Sequence, residues 1–156
     1  MSFIKDLKAG QTAEDEFVEL LNSYGVRAGR NTATHQREMA LYDVWDEHYN
    51  TYEIKLDRRA EETGNIYFEH ECLSHSNAHF VVYKVDVDDK FYIIDRESLL
   101  SHIHNPKYKV VSGGDKWGKG TLIPVDEFRT LFKECHATFK KAYPKKTVKK
   151  IPSKKA

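Results

Sequence analysis

Residues Tyr52-Glu53-Ile54-Lys55-Leu56 set the tightest condition on how this chain can fold. Aromatic and β-branched residues favour a strand, and strand side chains alternate, so Tyr52, Ile54 and Leu56 share one face while Glu53 and Lys55 share the other. The apolar face requires a covering layer, and a carboxylate and an ammonium are sent the same way. Ten residues before Glu53 stands Asp43, in a second strand candidate running from Leu41 to Asp46. An antiparallel hairpin turning near Glu47 to Asn50 returns Glu53 to its neighbourhood. Two carboxylates and a lysine are thereby predicted to converge.

Around this hairpin the pattern predicts a helix from Gly10 to Gly25, with Ala13, Phe17, Leu20, Leu21 and Tyr24 at helical spacing and Gly25 at the stop. A polar, irregular stretch from Arg27 to Glu38 follows. Leu41 to Asp46, Thr51 to Leu56 and Ile66 to Glu71 read as adjacent strands, divided by Asn50 and by Thr63-Gly64-Asn65. Phe80 to Val85 and Phe91 to Ile94 add two more, joined by Asp86-Val87-Asp88-Asp89, and Asp95 is placed to cap a short helix through about Ile103. A last helix is expected from about Asp126 to Tyr143, where Phe128, Leu131, Phe132, Cys135, Phe139 and Tyr143 form one stripe. This order predicts an α/β or α+β domain in which helices pack on a mixed sheet, with no internal repeat.

With 156 residues, 40% of them hydrophobic, the chain has enough apolar material for one domain with a real core. That domain is expected over residues 1–143, followed by a flexible basic tail over 144–156. The totals of 25 Lys+Arg and 24 Asp+Glu conceal an asymmetry. From Lys140 onward stand eight lysines and no acid, which leaves 17 bases against 24 acids, a net −7, in the rest of the chain. Lys145, Lys146, Lys149 and Lys150, interrupted by Pro144 and Pro152, cannot build a core and offer a positive field to nucleic acid, or simply solubilise the chain. No stretch approaches the roughly 20 apolar residues that span a bilayer, and Met1 to Asp6 lack the apolar run of a secretory signal. Cys72 and Cys135 form no CxxC pair and suit a reducing compartment. The expectation is a soluble, cytoplasmic protein with no membrane partner.

A third acid comes from the first helix. At 100° per residue Glu14 lies with Phe17, Val18 and Leu21, whereas Glu16 falls on the opposite, polar side. Three carboxylates brought together repel by about 4 kcal/mol per pair at 4 Å and an effective dielectric near 20. One lysine cannot neutralise them, but a divalent cation can. Glu14, Asp43 and Glu53 therefore read as a Mg²⁺ site completed by phosphate and water, with Mn²⁺ as a substitute.

Gly10-Gln11-Thr12-Ala13-Glu14 on a helix, then Asp43, then Glu53-Ile54-Lys55, resembles the PD-(D/E)XK nuclease superfamily, which includes restriction endonucleases and Holliday junction resolvases. Residues 10 to 55 carry the resemblance; Tyr42 precedes Asp43 in place of the family's proline, which is often absent. Thr63 to Glu69, Ala78 to Tyr83 and Phe91 to Asp95 are also similar to small phage and bacterial members. The resemblance implies a restriction endonuclease-like core and Mg²⁺-dependent hydrolysis of DNA as a resolvase, nicking or restriction-like enzyme. It further implies metal at Asp43 and Glu53, an assisting Glu14, and Lys55 serving the attacking water. A phage-encoded member works in the host-cell cytoplasm, and such domains often form homodimers. Glu69 and His75 are accessory candidates.

Competing readings attach to the same residues. An isolated Glu-x-Lys strand is commonly a solvated ion pair, and the chain then reads as a non-catalytic nucleic-acid-binding protein that uses its basic tail. Gly113 to Thr121 satisfies the GxxxxGK spacing of a phosphate-binding loop, but Pro124 falls within the first turns of the helix such a loop must open. A loop whose Lys116, Trp117 and Lys119 touch DNA is the preferred expectation there. His70, Cys72, His75 and His79 have zinc-ligating chemistry without the spacing of a common zinc module. As for Lys55, an ordinary lysine is protonated at neutral pH, which favours charge stabilisation over general-base catalysis.

Overall fold

The computed structural model describes residues 3–32, 42–85, 90–112 and 118–132. Helix α1 (Phe3–Ser23) leads into strands β1 (Ala28–Arg30), β2 (Val44–Asp46) and β3 (Thr51–Asp57). A single helical turn α2 (Ala60–Thr63), strand β4 (Asn65–Glu69) and helix α3 (His70–His75) come next. Then follow β5 (Phe80–Val85), β6 (Lys90–Asp95), α4 (Arg96–Ile103), β7 (Lys109–Ser112), β8 (Lys119–Pro124) and α5 (Val125–Leu131).

One sheet has five strands in the order β1-β2-β3-β5-β6, antiparallel except for the parallel pair β3 and β5. The expected mixed sheet flanked by helices is therefore present. Phe17 and Leu21 of α1 pack with Val44, Tyr52, Val82 and Ile93 on one of its faces. Val81, Tyr83, Val85 and Ile94 face the other way, into a larger core with Phe68, Leu73, Leu99, Ile123, Phe128 and Phe132. Along β5 these two sets alternate, as a strand buried on both sides requires.

Helix α1 begins before Gly10, and Gly10 lies inside it. A helical glycine costs about 1 kcal/mol relative to alanine without ending the helix. The predicted stop is present: Gly25 has φ 79°, Val26 N donates to Leu21 O at 3.1 Å and Gly25 N to Asn22 O at 2.9 Å. That paired closure needs a left-handed residue. At α4, the Asp95 side chain accepts from Ser98 N at 3.0 Å, as the cap reading required.

Two expectations are corrected. The third strand candidate does not join the hairpin: β4 belongs to a separate antiparallel sheet, β4-β8-β7, and ends at Glu69, where α3 begins. Its alternation explains why, since Ile66 and Phe68 are buried while Tyr67 and Glu69 are half-exposed, so β4 can cover one face of a core. The GxxxxGK reading is also overturned. Lys119-Gly120-Thr121 runs as strand in β8, paired with β7 and β4, and α5 starts only after Pro124. Of the predicted final helix, Val125–Leu131 is described and the remainder lies outside the described residues, as do Lys116, Trp117, Cys135 and the basic tail.

The β2–β3 turn is organised by Asp46, which is 3% exposed. Its carboxylate accepts from His48 N (2.8 Å), Asn50 N (3.0 Å), Asn50 Nδ2 (3.1 Å) and the Tyr52 hydroxyl (2.7 Å). Replacing it strands several partly or fully buried donors. Asp46→Ala is expected to lower unfolding free energy by about 3 kcal/mol in urea titration; an unchanged midpoint would show that the turn holds its register by other means.

Candidate functional site

Strands β2 and β3 stop pairing through their backbones just where the candidate residues begin. Asp43 N donates to Tyr52 O at 2.8 Å, and its carboxylate Oδ2 then accepts from Ile54 N at 2.8 Å. A side chain thus takes the place of a backbone acceptor, which fixes the Asp43 carboxylate in the opening between the strands. Asn31, beyond the end of β1, holds the other side, with its N donating to Asp43 O at 2.8 Å and its Nδ2 to Tyr42 O at 3.0 Å.

Glu53 projects from the β3 face opposite Tyr52, together with Lys55, as alternation predicts. Their charged ends are 3.8 Å apart, with 14% of the Glu53 side chain and 28% of the Lys55 side chain exposed. Burial raises the Glu53 carboxyl to about 7, and Asp43 adds to the rise through its charge and a direct side-chain hydrogen bond. Lys55 and a hydrogen bond from Ser76 Oγ (3.3 Å) oppose it without cancelling it. Asp43 and Glu53 are therefore a close carboxylate pair in a half-buried site.

Glu14 reaches Asp43 of this pair through space. Burial raises its pKa and the Asp43 charge raises it further, against Arg30. Arg30 of β1 donates from Nε to Glu14 at 3.2 Å and from Nη1 to Asp15 at 3.5 Å. Glu16 is not turned away from the sheet: it meets Lys84 of β5 at 2.6 Å, so α1 grips the sheet with two acids. Among the described residues, no three His, Cys, Asp or Glu side chains are gathered closely enough to hold one metal ion. The donor set that fits a hard divalent cation is the Asp43–Glu53 pair, two carboxylates whose repulsion a cation would relieve, with Glu14 adding negative field from α1. Magnesium commonly binds through one or two carboxylates and fills its remaining positions with water and phosphate oxygens.

Lys55 Nζ donates to Cys72 Sγ of α3 at 2.7 Å. Burial acts against the ammonium, but the Cys72 sulfur and the Glu53 and Asp43 carboxylates outweigh it and leave its pKa above the ordinary lysine value. Burial pushes the Cys72 thiol up, so at neutral pH the contact joins an ammonium to a neutral sulfur acceptor. Cys72 and Ser76 both serve the site, and nothing in their local sequence announces this, because each arrives through α3 and the chain just beyond it.

The accessory candidates are separated. Glu69 ends β4 and lines a cleft of about 440 Å³ together with Lys55, Asp57 and Tyr67. His75 is exposed at the C-terminal end of α3. The histidines do not form a zinc centre among the described residues: His70 meets Thr121 Oγ1 at 2.6 Å, His79 Nδ1 lies 3.2 Å from Thr51 N, and Cys72 is engaged by Lys55. Lys119 is exposed at the start of β8, while Lys145, Lys146, Lys149 and Lys150 lie outside the described residues. No described helix is long and apolar enough to cross a membrane.

Neither a family model nor a curated protein sequence matches the chain. A solved structure does: D212, a nuclease from a fusselovirus. It is 13% identical, the match covers 89% of this chain and 96% of that one, and the TM-score is 0.47. At that level of likeness the chemistry has to be read from the side chains themselves.

Proposed function

We propose that this protein is a Mg²⁺-dependent DNA endonuclease whose centre is Asp43, Glu53 and Lys55, with Glu14 as the assisting acid. The observation that supports it is the close Asp43–Glu53 pair beside the half-buried Lys55 ammonium, in a place where burial and the Asp43 charge together raise Glu53 to about 7. A simple structural ion pair needs one carboxylate for one ammonium; here Asp43 and Glu53 crowd together beside a single Lys55 in a half-buried place, which marks a functional candidate.

A bound Mg²⁺ supplies polarisation of the phosphodiester and acidification of a coordinated water. Asp43 and Glu53 would hold it, Asp43 being fixed by its bond to Ile54 N and Glu53 by the hydrogen bond from Ser76. Lys55, protonated at neutral pH, neutralises charge growing on the phosphoryl oxygens and orients the nucleophile; it is not the general base. Glu14, pinned by Arg30, adds negative potential and a place for a water-mediated contact. The acid-free basic segment from Lys140 onward supplies affinity for the phosphate backbone.

The test is incubation of the purified protein with supercoiled, linear, single-stranded and branched DNA across pH, with Mg²⁺ or with chelator. Cleavage is expected only with the cation. Since a protonated carboxyl is a poor ligand, the Mg²⁺ concentration for half-maximal rate should fall as pH rises toward 7 and level off above it, by up to about tenfold per unit. Cation-independent cleavage, or a half-maximal concentration that does not move between pH 5.5 and 7, would count against the site.

A further inference from the structure

The cleft that begins at Lys55 is not explained by hydrolysis of a phosphodiester alone. One wall is the end of β3 and the residues after it, Asp57, Arg58 and Arg59; the other is the outer face of the second sheet, with Tyr67, Glu69 and Leu122. Its volume of about 440 Å³ lies in the range of small-ligand sites.

The Tyr67 wall is built with care for its shape. A Cβ placed on Gly120 would come within 2.0 Å of Tyr67 Cε1, so the ring lies flat over a glycine backbone on the neighbouring strand. Tyr67 N donates to Asp57 Oδ2 at 3.3 Å, and the buried Tyr83 donates its hydroxyl to Tyr67 O at 3.3 Å. These contacts tie the second sheet to the end of β3, and with it to Lys55. Asp57 is committed on its other oxygen as well, to Arg59 N at 3.0 Å. The cleft therefore combines an aromatic face, Arg58 and the exposed Arg59 at one wall, the latter 3.9 Å from Glu62, and a carboxylate, Glu69, able to accept from a ring N–H or an exocyclic amine.

Resting on the nuclease reading, we infer that this cleft receives one unpaired nucleotide of the substrate strand next to the cleaved phosphate. Its base packs on Tyr67 and its phosphate is drawn by Arg58 and Arg59. A nucleotide inside an intact duplex must first break its stacking and pairing to enter, whereas one in a gap, flap or branch enters without that cost. The substrate class is accordingly DNA that carries unpaired nucleotides.

Binding in chelator separates this inference from catalysis. Fluorescence anisotropy of the full chain is measured with a fully paired duplex and with the same duplex carrying a short single-stranded gap, for wild type, Tyr67→Leu and Ser112→Trp, the last of which fills the cleft from β7. The gapped DNA is expected to bind about tenfold more tightly to wild type, and the preference to shrink to within about twofold in both variants. In wild type, 2-aminopurine placed in the gap should lose fluorescence on binding, as a stacked base does. Equal affinities in wild type, undiminished preference in both variants, or unchanged 2-aminopurine emission would overturn the inference. If Mg²⁺-dependent cleavage is absent while the binding preference stands, the catalytic reading fails and the nucleotide site remains.

Discussion

Glu53→Gln is expected to abolish Mg²⁺-dependent cleavage and, at pH 8 in chelator, to make the protein more stable than wild type. The unfolded chain releases the Glu53 proton near 4.5 and the folded chain near 7. Between those values the folded state holds more protons, so unfolding free energy falls as pH rises through the window. Above pH 7 the accumulated penalty is about 3 kcal/mol. Glutamine keeps the shape, carries no charge and can donate to Asp43, at the expense of the attraction to Lys55. A net gain of about 1–3 kcal/mol, or several degrees in Tm, should appear in thermal melts at pH 8 and shrink toward zero near pH 4.5. A variant no more stable than wild type at pH 8 would mean that the carboxylate is not held against its own repulsion.

Asp43→Ala should inactivate equally while moving stability the other way. If Asp43 is one of two carboxylates that hold the cation, as proposed, its loss removes several kcal/mol of transition-state stabilisation, a drop of about a thousandfold or more in cleavage rate. Alanine also removes the acceptor for Ile54 N in the opening between β2 and β3, and an unmatched donor there costs about 1–3 kcal/mol. Asp43→Asn retains an acceptor for that N–H and removes only the charge. The two variants should therefore share the catalytic loss and differ in stability by about 1–3 kcal/mol in urea. In both, the Glu53 carboxyl followed by ¹³C NMR should titrate below 7, since one cause of its elevation is gone. Equal stability of the two variants would show that the Ile54 contact contributes nothing.

Much of the placement of these residues was readable beforehand because it depends on short-range rules. Alternation placed Glu53 and Lys55 on one face, hairpin geometry returned Asp43 to them, and helical periodicity chose Glu14 for the inner side of α1. The reading of Glu16 failed because an angle on a helical wheel does not know how far a sheet extends; Lys84 on β5 reaches it. The second sheet was hidden for a different reason. Gly120 and the glycine-rich run before it suggest a loop, whereas the Lys119-Gly120-Thr121 backbone pairs with β4 and β7 and the Tyr67 ring fills the space over Gly120. Cys72 and Ser76 were equally hidden, since their roles depend on where α3 returns the chain, not on any pattern around them.

The bond from Ile54 N to Asp43 Oδ2 has a consequence for ion discrimination. One carboxylate oxygen already accepts from the backbone, so a cation held as proposed would meet Asp43 most directly through the other oxygen. A calcium ion, larger and often served by carboxylates that offer both oxygens, would be served less well there than a small octahedral ion that takes one oxygen from each carboxylate.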